Sequence, residues 1–318
     1  MSDGGLNLDR VQAAAARLNG VAHRTPLLSS ETVDRDCATK VLLKAEPFQR
    51  SGSFKFRGAY NRLSLLNIEA KRAGVVAYSS GNHGAAVALS AKLLGIEAVI
   101  VVPVTGSAAK LEAIKTYGAE LRRYDPATES REEVAAKIAA ERGMTLIRPY
   151  DDYDIMAGQG TVGLELVEQA PDLKRVLIPI GGGGLAAGVA TAVKGRIPGA
   201  SVIGVEPARA DDTRRSLLAN RRVSIPEPDT IADGLRAREP GELTFAVNSR
   251  LLDDVVTVTE DAIVEAMRLC FTRLKVVVEP SGAVAMAALP SVGATGRTAV
   301  VLSGGNITPE DFDALVRS

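Results

Sequence analysis

Lys55 is the first residue whose type and surroundings indicate chemistry, because it lies between two phenylalanines in the segment SGSFKFRGA at positions 51–59. An ammonium group beside apolar side chains is poorly solvated, and desolvation lowers the pKa of a lysine. Such a lysine is a nucleophile that can form a Schiff base with a carbonyl compound. From these residues alone, a solvent-facing lysine that only begins a helix stays open as the alternative.

A run of four glycines forms the second candidate site, and its members are Gly181, Gly182, Gly183 and Gly184. The run follows a predicted strand, so its backbone N–H groups are free to bind a phosphate, and the dipole of the helix that begins near Leu185 adds to the attraction. The pattern is not a P-loop, because no Gly-Lys-Ser/Thr follows it. It also fits G-x-G-x-x-A, with Glu206 in the place of a ribose-binding carboxylate, so a dinucleotide-binding dehydrogenase stays open.

Small polar residues follow two further predicted strands. The loop SSGNHG contains Ser79, Ser80, Asn82 and His83. Its N–H and hydroxyl groups precede a helix, where they suit a substrate carboxylate. Ser303 ends the last predicted strand and is placed to offer a neutral hydroxyl to a ring nitrogen. Helix capping is the alternative for both segments.

A fourth candidate is an acidic loop with two carboxylates six residues apart, Glu206 and Asp212. Together with the carbonyls of the intervening loop, these side chains could surround a hard cation such as Mg²⁺, Ca²⁺ or Mn²⁺. The spacing is equally typical of a solvated acidic loop without a metal.

The composition bears on partners and location. Lysine plus arginine and aspartate plus glutamate both total 38 in 318 residues, which leaves no charge excess for nucleic acid or an acidic membrane surface. No apolar run approaches the ~20 residues that span a bilayer, and residues 1–10 lack a signal-peptide pattern. Cys37 and Cys270 have no metal-binding or redox spacing, which suits a reducing compartment. We expect a cytoplasmic protein without nucleic-acid or membrane partners.

Apolar strands alternate with helical patterns along most of the chain. Continuous apolar runs lie at 74–78, 98–102, 175–180, 202–205 and 298–302. Strands that are apolar throughout are typical of parallel sheets that helices cover on both faces. The sequence therefore predicts an α/β fold, with ligands bound where the strands end.

Taken together, these motifs resemble the fold type II pyridoxal-phosphate enzymes, with serine/threonine dehydratases and serine racemases as the most similar branch. The resemblance runs from about Arg24 to Asn306 and rests on GSFKFRGA at 52–59, SGNHG at 80–84, AGQGT at 157–161, the four glycines, TIADG at 230–234 and SGGN at 303–306. Cysteine synthases are less similar, because their lysine and asparagine motifs differ.

The resemblance implies a role for most of the candidate residues. Lys55 would carry pyridoxal 5'-phosphate as a Schiff base and later remove the α-proton of the substrate. Phe54 would lie beside the cofactor ring, and Asn82 would bind its phenolic oxygen. Ser303 would face the pyridine nitrogen, where a hydroxyl gives a weaker electron sink than a carboxylate does, which favours β-elimination. The phosphate would be held by Gly181, Gly182, Gly183, Gly184 and Leu185.

Three further matches bear on the substrate and on a metal. Ser80 matches the serine that handles the proton on the face opposite the lysine in serine racemases, so a two-base site is available. Glu206, the carbonyl of Ala210 and Asp212 match the divalent-cation site of the racemase-like branch. Arg131 matches an arginine at the mouth of the active site, which would bind a second substrate carboxylate or form a surface salt bridge.

We therefore predict two open parallel-sheet domains: a large one from residues 1–70 and 152–318, and a small inserted one at 71–151. Pyridoxal phosphate would lie in the cleft between them. The expected reaction converts a small hydroxy amino acid, L-serine or L-threonine, to a 2-oxo acid and ammonia, with accompanying serine racemisation. The alternatives are a dedicated serine racemase, a threo-3-hydroxyaspartate ammonia-lyase or, from another class, a non-catalytic phosphate- or nucleotide-binding module. The resemblance also implies a homodimer.

Overall fold

The computed structural model describes residues 5–106 and 108–317. Its strands are β1 (Leu27–Leu28), β2 (Val41–Ala45), β3 (Val75–Tyr78), β4 (Ala98–Pro103), β5 (Glu120–Tyr124), β6 (Thr145–Leu146), β7 (Arg175–Pro179), β8 (Ser201–Pro207), β9 (Asp254–Val258) and β10 (Thr298–Leu302). Its helices are α1 (Leu8–Leu18), α2 (Glu31–Asp36), α3 (Lys55–Ser64), α4 (Ile68–Ala73), α5 (Asn82–Leu94), α6 (Ala108–Thr116), α7 (Arg131–Arg142), α8 (Tyr153–Gln169), α9 (Gly184–Arg196), α10 (Asp212–Ala219), α11 (Glu242–Leu251), α12 (Glu260–Leu269), α13 (Pro280–Ala287) and α14 (Pro309–Arg317). None of the helices in these ranges is long and apolar enough to cross a membrane.

The larger sheet has six strands in the order β1-β2-β10-β7-β8-β9. Its pairs from β2 to β9 are all parallel, whereas β1 pairs antiparallel with β2 at the edge. The prediction of a parallel sheet is thus confirmed for the interior, and the short antiparallel edge strand was not predicted. Because β2, β10, β7 and β8 run in one direction, the loops that follow them emerge at one edge.

Both faces of this sheet are buried, as the continuous apolar strands predict. Along β10, Val300 and Leu302 belong to one apolar cluster together with Met267 on α12. Ala299 and Val301 belong to a second cluster on the opposite face. Side chains of successive strand residues point to opposite faces, so apolar residues at every position mean that helices cover both.

The smaller sheet has four strands in the order β5-β4-β3-β6, and all of its pairs are parallel. Its strands lie between Val75 and Leu146, inside the segment 71–151 that the sequence predicts as an inserted domain. The helix α5 follows β3 and packs on this sheet through Ala86 and Val87, which are fully buried. The sheet thus places the loop between β3 and α5 at its carboxyl edge.

A buried ion cluster holds α3 against α8. The Nε of Arg57 donates to Glu46 over 2.8 Å, and its Nη1 donates to Glu165 over 2.6 Å. Lys44 donates to the same Glu165 over 2.5 Å. Two cations and two carboxylates therefore balance one another, and of the four side chains only that of Glu165 is partly exposed, at 14%. Such pairing is the condition for burying charge without a large penalty. The cluster fixes the first turn of α3, which begins at Lys55.

Candidate active site

The candidate residues lie in loops that follow strands of both sheets. In the larger sheet, β7 is followed by the four glycines, β10 by Ser303 and β8 by the acidic loop that contains Asp212. The loop after β3 of the smaller sheet ends at Asn82, the first residue of α5. Ser303 accepts a hydrogen bond from Phe54, and Asn82 is linked to Ser51 through Asn306. The candidate residues after β10 and β3 therefore contact the segment that carries Lys55.

The amine of Lys55 is held by one backbone contact. Its Nζ donates a hydrogen bond of 2.8 Å to the carbonyl of Pro149 and lies 5.2 Å from the centroid of the Phe54 ring. Burial lowers the pKa of Lys55 to about 8. The shift has the direction that the sequence predicts, and the amine of Lys55 loses its proton far more readily than that of an exposed lysine.

Each of the four glycines has other atoms where a side chain would lie. A Cβ on Gly182 would lie 2.3 Å from the Tyr150 ring, and one on Gly183 would lie 2.7 Å from Nδ2 of Asn248. Gly183 also adopts a φ of +88°, which other residues rarely adopt. The loop leads into α9, whose first N–H groups have no partner within the helix. Its narrow backbone therefore suits the close approach of a phosphate.

Asn82 is hydrogen-bonded on both sides of its amide group. Its Nδ2 donates to Glu279 over 2.6 Å, and its Oδ1 accepts a hydrogen bond of 2.6 Å from Asn306. Asn306 in turn donates to the carbonyl of Ser51 over 2.7 Å. These contacts leave Asn82 one N–H to direct at a ligand.

His83 has a different environment from the one predicted. The residue is 4% exposed, and its Nε2 lies 3.1 Å from the carbonyl oxygen of Ile147. Burial, followed by the charge of Lys55, lowers the pKa of His83 to about 3. The ring is therefore neutral near neutral pH, and its Nε2–H is engaged by the backbone. Because that nitrogen is already engaged, a direct contact of His83 with the substrate carboxylate stays a prediction without support from the geometry.

The serines after β3 and β10 differ in exposure. Ser79 and Ser80 are half-buried, and the hydroxyl oxygen of Ser79 accepts a hydrogen bond of 3.2 Å from the N–H of Gly81. Ser303 is 4% exposed, and its hydroxyl donates to the carbonyl of Ser281 over a long 3.4 Å. The carbonyl of Ser303 accepts from the N–H of Phe54 over 3.1 Å, so the end of β10 touches the residue before Lys55.

Arg131 lies at the start of α7, with its guanidinium over the ring of Tyr78. The guanidinium carbon is 5.7 Å from the ring centroid, and Nε pairs with Glu132 over 2.8 Å. The side chain is 53% exposed, so the surface salt bridge that the sequence left open is present. Because Tyr78 directly precedes Ser79, the stack also keeps Arg131 beside the loop that carries Ser80.

Two buried carboxylates lie after β8. Both oxygens of Glu206 accept backbone hydrogen bonds of 2.9 Å, from Thr213 and Arg214. Neither carboxylate oxygen of Asp212 has a hydrogen-bond partner in the described part of the chain, although both are buried. Burial raises the pKa of Glu206 to about 7, and burial followed by the charge of Glu206 raises that of Asp212 to about 8. The described residues contain no group of three or more His, Cys, Asp and Glu side chains that could hold a metal.

Comparison with known proteins identifies the family. The sequence profile of the family described as pyridoxal-phosphate dependent enzyme matches residues 18–304. The chain belongs to this family. An L-threo-3-hydroxyaspartate ammonia-lyase from a Pseudomonas species is 41% identical to it, over 96% of each chain. The predicted family is thus confirmed, and it replaces the dehydrogenase alternative.

Two solved structures show the same fold. Maize serine racemase superposes with a TM-score of 0.94 at 42% identity, covering 96% of this chain and 95% of that one. The T.th. threonine deaminase superposes with a TM-score of 0.90 at 44% identity, covering 95% of this chain and 99% of that one. The predicted α/β fold with parallel sheets is confirmed. The relatives are pyridoxal-phosphate dependent ammonia-lyases and racemases, which argues against a non-catalytic binding module.

The residues at the sheet edge fit pyridoxal phosphate. Lys55 provides an amine with a lowered pKa, and the four glycines provide a loop that a phosphate can approach. Ser303 provides a buried hydroxyl whose hydrogen bond to the carbonyl of Ser281 is long, at 3.4 Å. These groups lie at the carboxyl ends of neighbouring strands, where an aldehyde, a phosphate and a ring nitrogen could be bound by one molecule.

Sequence reasoning missed several residues that support this site. Glu279 binds Asn82, Tyr150 covers Gly182, and Thr244 donates to the carbonyl of Gly182 over 2.7 Å. A signal existed for Glu279 alone, which is a single carboxylate after the apolar run VVV at 276–278. Tyr150 and Thr244 lie in segments whose local sequence gives no signal for a site.

Proposed function

We propose that this protein is a pyridoxal-phosphate dependent serine/threonine dehydratase of the serine racemase-like branch, which converts L-serine or L-threonine to a 2-oxo acid and ammonia. The observation that carries the proposal is the position of Lys55, whose amine has a pKa of about 8 and lies beside the loops that follow β7, β10 and β3. The relatives support the substrate class, because they include a serine racemase and a threonine deaminase.

Lys55 and Ser303 have separate roles in the proposed chemistry. When bound, pyridoxal phosphate supplies an electron sink for the electron pair that remains after the α-proton is removed. The amine of Lys55 acts as the base for that proton, and a pKa of about 8 suits proton transfer near neutral pH. The neutral hydroxyl of Ser303 accepts or donates one hydrogen bond at the ring nitrogen without adding a charge. Because this hydrogen bond adds no charge, the ring would be a weaker electron sink than one bound to a carboxylate, and this favours rapid loss of the β-hydroxyl.

Ser80 is the residue for which we propose a second proton-transfer role. It lies on the half-buried loop between β3 and Asn82, and so belongs to the smaller sheet, whereas Lys55 follows β2 of the larger one. A hydroxyl that reaches the face of the α-carbon opposite Lys55 would allow serine to be racemised as well as dehydrated. In Ser80→Ala we expect racemisation to fall by at least about tenfold while dehydration of L-threonine continues.

We also propose a divalent cation, Mg²⁺, Ca²⁺ or Mn²⁺, bound by Glu206, the carbonyl of Ala210 and Asp212. The support is the pair of buried, unpartnered oxygens of Asp212, which a hard cation would satisfy. Addition of Mg²⁺ should raise the melting temperature of the wild-type protein, and Asp212→Asn should abolish that rise. A melting temperature that Mg²⁺ leaves unchanged in the wild type would rule the site out.

The second candidate function is a 3-hydroxyaspartate ammonia-lyase, favoured by Arg131. Its Nε is bound to Glu132 over 2.8 Å, and the two Nη groups form a second edge of the guanidinium that can bind a carboxylate in a fork. The Pseudomonas relative, an L-threo-3-hydroxyaspartate ammonia-lyase, supports the same substrate. Arg131→Lys should then lower activity on hydroxyaspartate selectively, and an equal loss on serine would argue against this candidate.

A substrate panel on the holoenzyme with Mg²⁺ separates the candidates. The panel contains L-serine, D-serine, L-threonine and the threo and erythro 3-hydroxyaspartates, and it follows 2-oxo acid and chirality together. Oxo-acid release from L-threonine and L-serine without D-serine would establish the dehydratase. Rapid formation of D-serine would establish a racemase, and a strong preference for hydroxyaspartate would establish the second candidate.

We further propose a cytoplasmic homodimer. The thiols of Cys37 and Cys270 are both free, which suits a reducing compartment. Phe48 and Val277 expose 49% and 43% of their surfaces, and a second subunit packed on them would remove these apolar side chains from water. Light scattering of the purified holoenzyme should give twice the mass of one chain, and a monomer at micromolar concentration would refute the dimer.

A further inference from the structure

We infer that α11 sets the direction of the phosphate-binding N–H groups in the glycine loop, with Thr244 and Asn248 as positioning residues. Thr244 donates its hydroxyl to the carbonyl of Gly182 over 2.7 Å. Asn248 donates its amide N–H to the carbonyl of Gly183 over 3.1 Å. The inference rests on the proposed binding of pyridoxal phosphate by this loop.

The planarity of the peptide bond links the direction of each carbonyl to that of the next N–H group. In a trans peptide unit the C=O and the N–H point in opposite directions. A donor that holds the carbonyl of Gly182 therefore turns the N–H of Gly183 away from α11, and a donor on the carbonyl of Gly183 does the same for Gly184. A glycine has a large range of accessible backbone angles, so without such contacts these peptide units would rotate easily.

The two donors are themselves rigid. Thr244 is fully buried and Asn248 is 1% exposed. Asn248 would lie 2.7 Å from a Cβ on Gly183, so the loop passes directly over this side chain. Two neighbouring peptide units are thus fixed by a single helix face, since residues 244 and 248 are one turn apart.

The start of α11 is fixed by Asp151, which connects it to Lys55. Oδ1 of Asp151 accepts hydrogen bonds of 2.9 Å from the N–H of Leu243 and 3.1 Å from that of Thr244. Two residues earlier, the carbonyl of Pro149 accepts the hydrogen bond from Lys55. The segment 149–151 therefore contacts both the amine of Lys55 and the start of α11. The amine and the glycine loop held by α11 are the two ends of the proposed cofactor site.

The test compares ligands with and without a phosphate. Pyridoxal 5'-phosphate and pyridoxal both offer the aldehyde to Lys55, and only the first engages the glycine loop. In Thr244→Val, which keeps the shape and loses the hydroxyl, the affinity for pyridoxal 5'-phosphate should fall by about tenfold while that for pyridoxal stays within about twofold. Thr244→Ser keeps the donor and should behave as wild type. Absorbance titration of the apoprotein gives both affinities.

Each outcome has a distinct meaning. Unchanged affinities in Thr244→Val, or an equal loss for both ligands, would overturn the inference and leave the proposed function standing. If the wild type binds neither aldehyde, the proposed function fails, and the inference is then decided by calorimetric titration with inorganic phosphate, which Thr244→Val should bind more weakly. Asn248→Leu, which removes the second donor, should show the same selective loss should the valine variant not fold.

Discussion

The amide of Asn82 donates a hydrogen bond of 2.6 Å to the carboxylate of Glu279, although the two residues are 197 positions apart in the chain. Asn82 begins α5 of the smaller sheet, and Glu279 directly precedes α13 of the larger sheet. The contact therefore joins the two sheets beside Lys55. It also fixes which way the amide of Asn82 faces, since Asn306 binds the other side of that group.

This relationship predicts the behaviour of substitutions at Glu279. In Glu279→Ala the amide of Asn82 loses its acceptor and can rotate, so the affinity for pyridoxal phosphate should fall by about tenfold and its visible absorbance maximum should shift. Glu279→Gln retains an acceptor oxygen and should keep both properties near those of the wild type. Asp253→Ala, which removes a carboxylate beside Val202 at the start of β8, is the control. An unshifted spectrum in Glu279→Ala would contradict this account of Asn82.

The lowered pKa of Lys55 predicts how fast the apoprotein captures its cofactor. Burial lowers this pKa from 10.5 to about 8, so the neutral, nucleophilic amine becomes the main species as pH rises through about 8. At pH 7 about a tenth of the molecules carry that form, compared with fewer than about one in a thousand for an exposed lysine. The capture rate should therefore rise about tenfold from pH 6 to 7 and level off above about pH 8.5. A rate that keeps rising to pH 10 would show an unperturbed lysine.

The glycine loop predicts a sharp contrast between two alanine substitutions. A Cβ at position 182 would lie 2.3 Å from the ring of Tyr150, so Gly182→Ala must displace the ring or the loop. At Gly199 nothing lies within 4 Å of a Cβ, and Gly199→Ala is the matched control. We expect the first variant to lose pyridoxal phosphate on gel filtration and the second to retain it. Retention of the cofactor by both variants would show that this loop tolerates a side chain.

The buried ion cluster predicts a large effect on stability. Arg57→Ala would leave the carboxylates of Glu46 and Glu165 buried without their main partner, and breaking such a pair costs about 3–5 kcal/mol of unfolding free energy. The exposed pair between Arg24 and Glu168 is the control, because Arg24→Ala should cost less than about 1 kcal/mol. Urea denaturation followed by circular dichroism measures both losses. Similar losses in the two variants would mean that the cluster adds little to stability.

The sequence alone predicts the elements that have a clear local pattern, such as an apolar run or a helix cap. The apolar runs at 98–102, 175–180 and 298–302 correspond to β4, β7 and β10, and their ends agree within one residue. Thr259 is a typical N-cap residue, and its side chain accepts a hydrogen bond from the N–H of Ala262 at the start of α12. Apolar runs and caps are local signals, so they can be recognised without knowledge of the fold.

Other elements had no local signal. The helix α3 begins at Lys55, and contacts of Arg57 with distant carboxylates stabilise its first turn. The sequence analysis did not predict α11 or α13. Nearly all residues of α13 are buried, so its sequence lacks the alternation of apolar and polar residues that marks a helix. In α11 the polar residues Thr244 and Asn248 are buried, so polarity does not show which face is turned to the core. The partners of the site residues are equally non-local, which is why Glu279 and Tyr150 were missed.

The most direct test of the central claim is borohydride reduction of the holoenzyme followed by peptide mass mapping. Reduction fixes a Schiff base as a stable amine, so the pyridoxyl label marks the lysine that carried the cofactor. The account predicts a coloured protein whose label is confined to the peptide that contains Lys55, and a colourless, unlabelled Lys55→Ala variant. A colourless wild type, or a label on any other lysine, would contradict it.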